Sequence, residues 1–237
     1  MHNQTSEQSA AASVPLADSN RLTVGLATSS RQRELAAQLQ QRIYAESGIR
    51  SPKTAEESLV GDLKKEVFVA RQATRIIGTV SLICDGRKGL PIDRNLPDLA
   101  WIIRDLAEWN RQQPADPSDT IAMTDIGKSG LGEITSLAID PEIRRTGLSR
   151  TDIFFQLTAE LHREAQRLGM QNLVAVAHPK HGKAYRRMFN AQPIGEPFRY
   201  KKVGNRPAQA YVADISSRNG FHRKTHAVYF LNTAQRS

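Results

Sequence analysis

Gly132-Glu133-Ile134-Thr135-Ser136-Leu137-Ala138-Ile139-Asp140-Pro141-Glu142-Ile143-Arg144-Arg145-Thr146-Gly147-Leu148-Ser149-Arg150 reads as a strand, a tight turn and the start of a helix. The apolar run after Glu133 is strand-like, and Gly147 supplies the turn. Backbone N–H groups at a helix start, with the positive end of the helix dipole behind them, form a seat for phosphate. A carboxylate on the strand leading to that seat is placed to act as a base beside whatever the phosphate carries. The pairing points to group transfer from a phosphate-bearing carrier.

Outward from this segment, a helix from Ser149 to Leu168 carries an apolar stripe of Ile153, Phe154, Leu157, Leu161 and Leu168, and Gly169 stops it. Asn172 to Ala177 is a short apolar run expected to be a buried strand. Pro179 then leads into a short helix with Ala184, Met188 and Phe189, and Arg199–Val203 with Ala208–Ile215 close the pattern as two strands. On the N-terminal side, Leu22–Ala27 is a first strand, and a helix from Ser30 carries Leu35, Leu39 and Ile43 to near Gly48. Lys53–Gly61 is a weaker helix, and Val67–Arg71 and Ile76–Ile83 form a hairpin. Residues 85–131 interrupt this order with a helix near Pro97, whose face is Leu99, Ile102, Ile103, Leu106 and Trp109, and a loose segment Pro114–Asp119. An insertion with its own apolar face must cover something.

The 237 residues fit one domain with decorations: an arm at 1–20 rich in Ser, Gln, Asn and Ala, a body at 21–216, and a basic tail at 217–237. With 33 basic and 24 acidic residues the net charge is +9, which favours anionic partners without choosing among them. The lone Cys84 excludes an internal disulfide and a cysteine-based zinc site, and its apolar setting makes it a buried thiol. No His-Glu-x-x-His motif occurs, and no metal is expected. The start of the chain lacks the basic-then-apolar pattern of a secretory signal, and no run of about 18 apolar residues occurs to span a membrane. The expected location is the cytoplasm. No nucleic-acid-reading signature is present, so nucleic acid is not the expected partner.

In its order of elements the chain resembles the Gcn5-related N-acyltransferase superfamily: a mixed α/β fold with a helical insertion before the glutamate strand. Arg144-Arg145-Thr146-Gly147-Leu148-Ser149 is similar to that superfamily's pyrophosphate loop, with serine in place of the last small residue. Gly78–Leu82, Gly89–Asp93, Glu133–Ile139, Ala177–His181, and Pro193–Glu196 through Arg199–Tyr200 resemble, in this order, the long-chain N-acyl amino acid synthases, a branch related to acyl-homoserine-lactone synthases. The resemblance runs from about Leu22 to Ile215. It implies an enzyme that moves an acyl group from a phosphopantetheine thioester, on acyl carrier protein or coenzyme A, to the amine of an amino acid, with no permanently bound cofactor.

The resemblance assigns donor binding to Leu137, Ala138 and Ile139, as a bulged strand pairing with the pantetheine arm, and to Arg144, Arg145, Gly147, Leu148 and Ser149. A main-chain N–H on that bulge can also hold the thioester oxyanion, while the three side chains serve equally as strand core. Glu133 is the candidate general base, since the amine must lose a proton before it attacks; a strand-end charge in a salt bridge is the plainer role. Tyr185 stands where acetyltransferase relatives place a general acid for the departing thiolate, though its apolar neighbours suit packing as well. His181 either caps the short helix or touches substrate, capping being the plainer role, and His178 reads as structural. Arg144, Arg145, Arg150, Lys180, Lys183, Arg186 and Arg187 cluster if the two helices start side by side, suiting coenzyme A phosphates or an acidic carrier protein; otherwise they are a solvated face. The insertion's apolar face is placed to roof an acyl channel, or simply to pack. Competing functions are an acetyl-coenzyme A-dependent small-molecule N-acetyltransferase, a homoserine-lactone synthase using S-adenosylmethionine, and a non-catalytic acyl-carrier or nucleic-acid binding protein.

Overall fold

A computed structural model describes residues 21–49, 64–86, 89–112 and 130–215. The arm at 1–20, the helix read at Lys53–Gly61, the segment Pro114–Asp119, the side chains of Leu106 and Trp109, and the tail at 217–237 lie outside the described residues.

Within them the chain runs β1 (Leu22–Leu26), α1 (Ser30–Glu46), β2 (Lys65–Gln72), β3 (Arg75–Cys84), α2 (Pro91–Asn95), α3 (Pro97–Gln112), β4 (Leu131–Ile139), α4 (Arg150–Arg167), β5 (Asn172–Ala177), α5 (Gly182–Phe189), β6 (Gln192–Tyr200) and β7 (Arg206–Asp214). The seven strands form one sheet in the order β1-β2-β3-β4-β5-β7-β6. All neighbours are antiparallel except β4 and β5, which run parallel because α4 crosses between them.

Alternation along the strands sends side chains to two covered faces. Phe68, Ala70, Val80, Leu82, Ile134 and Leu173 point to the face under α4 and α5, where they meet Ile153, Leu157, Leu161, Met188 and Phe189. Gly78 is what lets α4 lie close there: a Cβ at that position would stand 2.8 Å from Ile153 Cγ2 and 3.1 Å from Leu157 Cδ1. On the opposite face Val67, Val69 and Ile76 receive Ala36 and Leu39 of α1. Further along that face Ile83, Leu131, Val174, Ile194 and Ala210 receive Leu90, Ile92 and Ile103, with Leu99 and Ile102 at the margin. The insertion therefore covers sheet. Arg104 of α3 pins it there, donating to Asp85 Oδ2 at the end of β3 (3.0 Å) and to Asp93 Oδ1 of α2 (3.0 Å). The buried Cys84 thiol is pushed up to about 11, chiefly by burial, and so stays protonated at neutral pH.

The closing strands differ from the sequence reading. β6 begins at Gln192, well before Arg199, and 201–203 is a 3-10 turn. Pro193, Gly195 and Pro197 read as turn residues, yet an edge strand with an irregular register between Ile194 and Phe198 accepts them.

Candidate active site

The site follows from a disagreement of register. β4 pairs with β5 only from Leu131↔Asn172 to Ile134↔Ala175. Beyond that, β4 continues beside β3 to Ile139 and β5 continues beside β7 to Ala177. The extra residue that drives them apart lies between Thr135 and Ala138. Thr79↔Ala138 and Ser81↔Thr135 leave three steps on β4 against two on β3, and Ser136 takes a left-handed φ of 57°. The bulge thus starts one residue ahead of Leu137.

The parted strands open a cleft of about 790 Å³ with Ile134–Ile139 on one lip and Val176–His178 on the other. Arg150, Thr151, Phe154 and Phe155 of α4 and Lys183, Ala184, Tyr185 and Arg187 of α5 wall it on one side. α1 adds Ile43 and Tyr44, followed by Ser47 and Ile49, and the β6–β7 hairpin adds Tyr200, Val203 and Arg206. Arg206 donates to the Ser47 carbonyl, which ties the hairpin to the end of α1. The sequence places Ile43 on the apolar stripe of α1, but nothing local in it brings that helix or the β6–β7 hairpin to the cleft, because long-range packing alone does so.

Between β4 and α4, residues Pro141–Thr146 form a 3-10 turn, and Gly147 turns the chain with φ 76°, a conformation glycine adopts without strain. Ser149 caps α4 by accepting from Thr151 N (3.1 Å) and Asp152 N (3.4 Å). Arg144 and Arg145 are exposed on the turn and do not line the cleft, and Arg145 Nη1 pairs with Glu142 Oε2 at 2.8 Å. Arg150, Lys180, Lys183 and Arg187 do line it, whereas Arg186 does not. Among the described residues, no Asp or Glu appears on the walls. The turn is fastened at its base by Asp140, whose side chain is 1% exposed and accepts from Arg42 Nη2 of α1 (2.9 Å), from Arg75 of β3 and from Glu142 N (3.0 Å). Burial works to raise the Asp140 carboxyl, but the Glu142 N–H and the two guanidiniums outweigh it and hold it below the usual range.

Leu137, Ala138 and Ile139 are on the cleft lip as strand residues, Leu137 half-buried and the other two buried. Tyr185 is buried in the wall, stacked on Tyr211 at 5.9 Å and edge-on to Phe154 at 6.1 Å. Burial pushes its phenol up, so it stays protonated. Glu133 is elsewhere. It is buried on the face under α2, paired opposite Ile83 and Val174, and its Oε2 accepts from Ile92 N at 2.8 Å. It lies two residues before Thr135 on the same face and is not itself on the cleft wall. His178 caps the turn after β5, its Nδ1 accepting from Lys180 N (3.2 Å). His181, expected to cap α5, makes no such bond and lines the cleft instead. Burial, then the nearby His178 and Arg150, lower the His181 pKa. None of Leu99, Ile102 and Ile103 reaches the cleft.

The model of the N-acyl amino acid synthase FeeM family matches residues 35–214. The chain belongs to this family. Among solved structures it is similar to FeeM, an N-acyl amino acid synthase from uncultured soil microbes, with 21% identity and a TM-score of 0.63 over 87% of this chain and 98% of that one. The CoA-dependent acyl-homoserine lactone synthase BjaI superposes with a TM-score of 0.59 at 16% identity, covering 90% of each chain. The AHL synthase LasI gives 0.54 at 13% identity, covering 86% of this chain and 94% of that one. No curated protein matches the sequence. The fold is that of the Gcn5-related N-acyltransferases, and this member of the FeeM family is an N-acyltransferase. Among the described residues no helix is long and apolar enough to cross a membrane.

Proposed function

We propose that this FeeM-family enzyme transfers a long-chain acyl group from a phosphopantetheine thioester, carried by acyl carrier protein or coenzyme A, to the amine of an amino acid. One observation carries the reading: a deep cleft between parted strands whose walls hold Arg150, Lys180, Lys183, Arg187 and Arg206 and, among the described residues, no carboxylate. Such a cleft selects an anionic ligand. The donor phosphates take the start of α4, with Gly147, Leu148, Ser149 and the basic side chains about them. The pantetheine arm lies along Leu137–Ile139, and a main-chain N–H of the bulge steadies the oxyanion. Phe154, Phe155, Ile43, Ile134 and Val176 give the acyl chain apolar surroundings, each buried methylene contributing about 0.8 kcal/mol. Glu133 accepts the proton that the amine must lose, and Tyr185 returns one to the departing thiolate, so that the C–S bond breaks as the C–N bond forms.

Mass spectrometry of lipid extracts from bacteria expressing the chain tests this. N-acyl amino acids absent from the control strain are expected. Short acetylated amines in their place would mark an acetyltransferase, acyl-homoserine lactones would mark a lactone synthase, and unchanged extracts would speak against turnover.

A further inference from the structure

Three threonine hydroxyls in the interior meet different fates. Thr79 donates to the Phe68 carbonyl at 3.0 Å and Thr158 to the Phe154 carbonyl at 2.7 Å. The Oγ1 of Thr135 is shut off from solvent and has no hydrogen-bond partner within the chain. Thr135 also lines the cleft. A buried hydroxyl without a partner costs about 1–3 kcal/mol, so its retention in a strand asks for a partner that arrives later.

Its place identifies that partner. Thr135 is opposite Ser81, hence on the sheet face that α1 covers, and α1 leads to the cleft residues Ile43, Tyr44, Ser47 and Ile49. The phosphate-ready residues Arg150 and Lys183 belong to the helices of the other face. Thr135 is also the last β4 residue before the left-handed Ser136, at the point where β4 leaves β5. With the donor phosphates at the start of α4, as proposed above, the α1 side is left for the incoming amine. Glu133 is on the same face, about 7 Å back along the strand.

We propose that the Thr135 hydroxyl is a substrate-binding group that accepts an N–H hydrogen bond from the acceptor amine and turns its lone pair toward the thioester carbonyl. The inference rests on the transfer reaction proposed above and adds the acceptor's place in it. No covalent change occurs at Thr135: it orients nitrogen, and the proton leaves for Glu133.

Thr135→Val and Thr135→Ser test it, in the purified full chain given palmitoyl-coenzyme A or palmitoyl-acyl carrier protein and an equimolar mixture of the twenty amino acids, with the amide product weighed. Valine keeps the shape and removes the hydroxyl that has no partner in the free protein. It is expected to leave the melting temperature equal or higher, to leave donor binding unchanged, and to lower kcat/KM for the acceptor about tenfold or more. Serine is expected to stay within about threefold of the parent. Valine turnover equal to the parent, at any melting temperature, overturns the inference. So does a lower melting temperature with activity lost only in proportion to unfolding, the mark of a structural hydroxyl. If the parent itself makes no amide with either donor, it is the transfer reading that fails, and the two failures are told apart.

Discussion

Glu133 and Tyr185 lie on opposite faces of the sheet, and the mechanism proposed above requires both to act through the gap between β4 and β5. Glutamine at 133 can still accept the Ile92 N–H through its carbonyl, so Glu133→Gln should fold normally while losing the ability to take up a proton. Its kcat should fall by about 10²–10⁴ with donor binding intact, measured by steady-state kinetics beside isothermal titration of a non-hydrolysable thioester analogue. Tyr185→Phe keeps the stacking on Tyr211 and removes the acid; kcat should drop about tenfold or more with the donor KM little changed. Parental rates in either variant remove that residue from the mechanism. The sequence made both residues visible for different reasons. Glu133 stands out as a charge in an apolar strand, and Tyr185 is a candidate through resemblance alone, since its apolar neighbours announce only packing. Thr135 gave no signal, because an unsatisfied hydroxyl exists only once its surroundings are known.

Among the elements, the strand-turn-helix at 131–167 does most to make the site, and it was legible because each part has a local cause: an apolar strand, a glycine turn and a serine start. The buried strands β3 and β5 were legible for the same reason, as short apolar runs. What escaped was whatever depends on neighbours. α2 is five residues long, too short to show a period, and β6 hides behind prolines that only its edge position permits. The closeness of β3 to α4 tests this level. Gly78→Ala puts a methyl 2.8 Å from Ile153 Cγ2 and should destabilise by about 1–3 kcal/mol, seen as a lower denaturant midpoint. An unchanged midpoint would mean that α4 does not seat as described.

Across the whole molecule, Asp140 joins three parts: α1, the β2–β3 hairpin and the turn that precedes α4. Nothing local in the sequence singles it out, because its partners are 98 and 65 positions away. Its carboxyl is held below the ordinary value of 3.8, so the stability it contributes is fully present above that pH and is lost as the pH falls through the lowered folded value. Asp140→Asn should therefore melt below the parent at pH 7, with the gap narrowing as both are taken below about pH 4. A gap independent of pH would assign the effect to shape and not to charge. The central claim, that the cleft brings an acyl thioester to an amine, is tested most directly by thiol release. Purified protein given palmitoyl-coenzyme A or palmitoyl-acyl carrier protein should free thiol only when amino acids are present, one thiol for each amide found by mass. Thiol release indifferent to amino acids, or none with either donor, would contradict it.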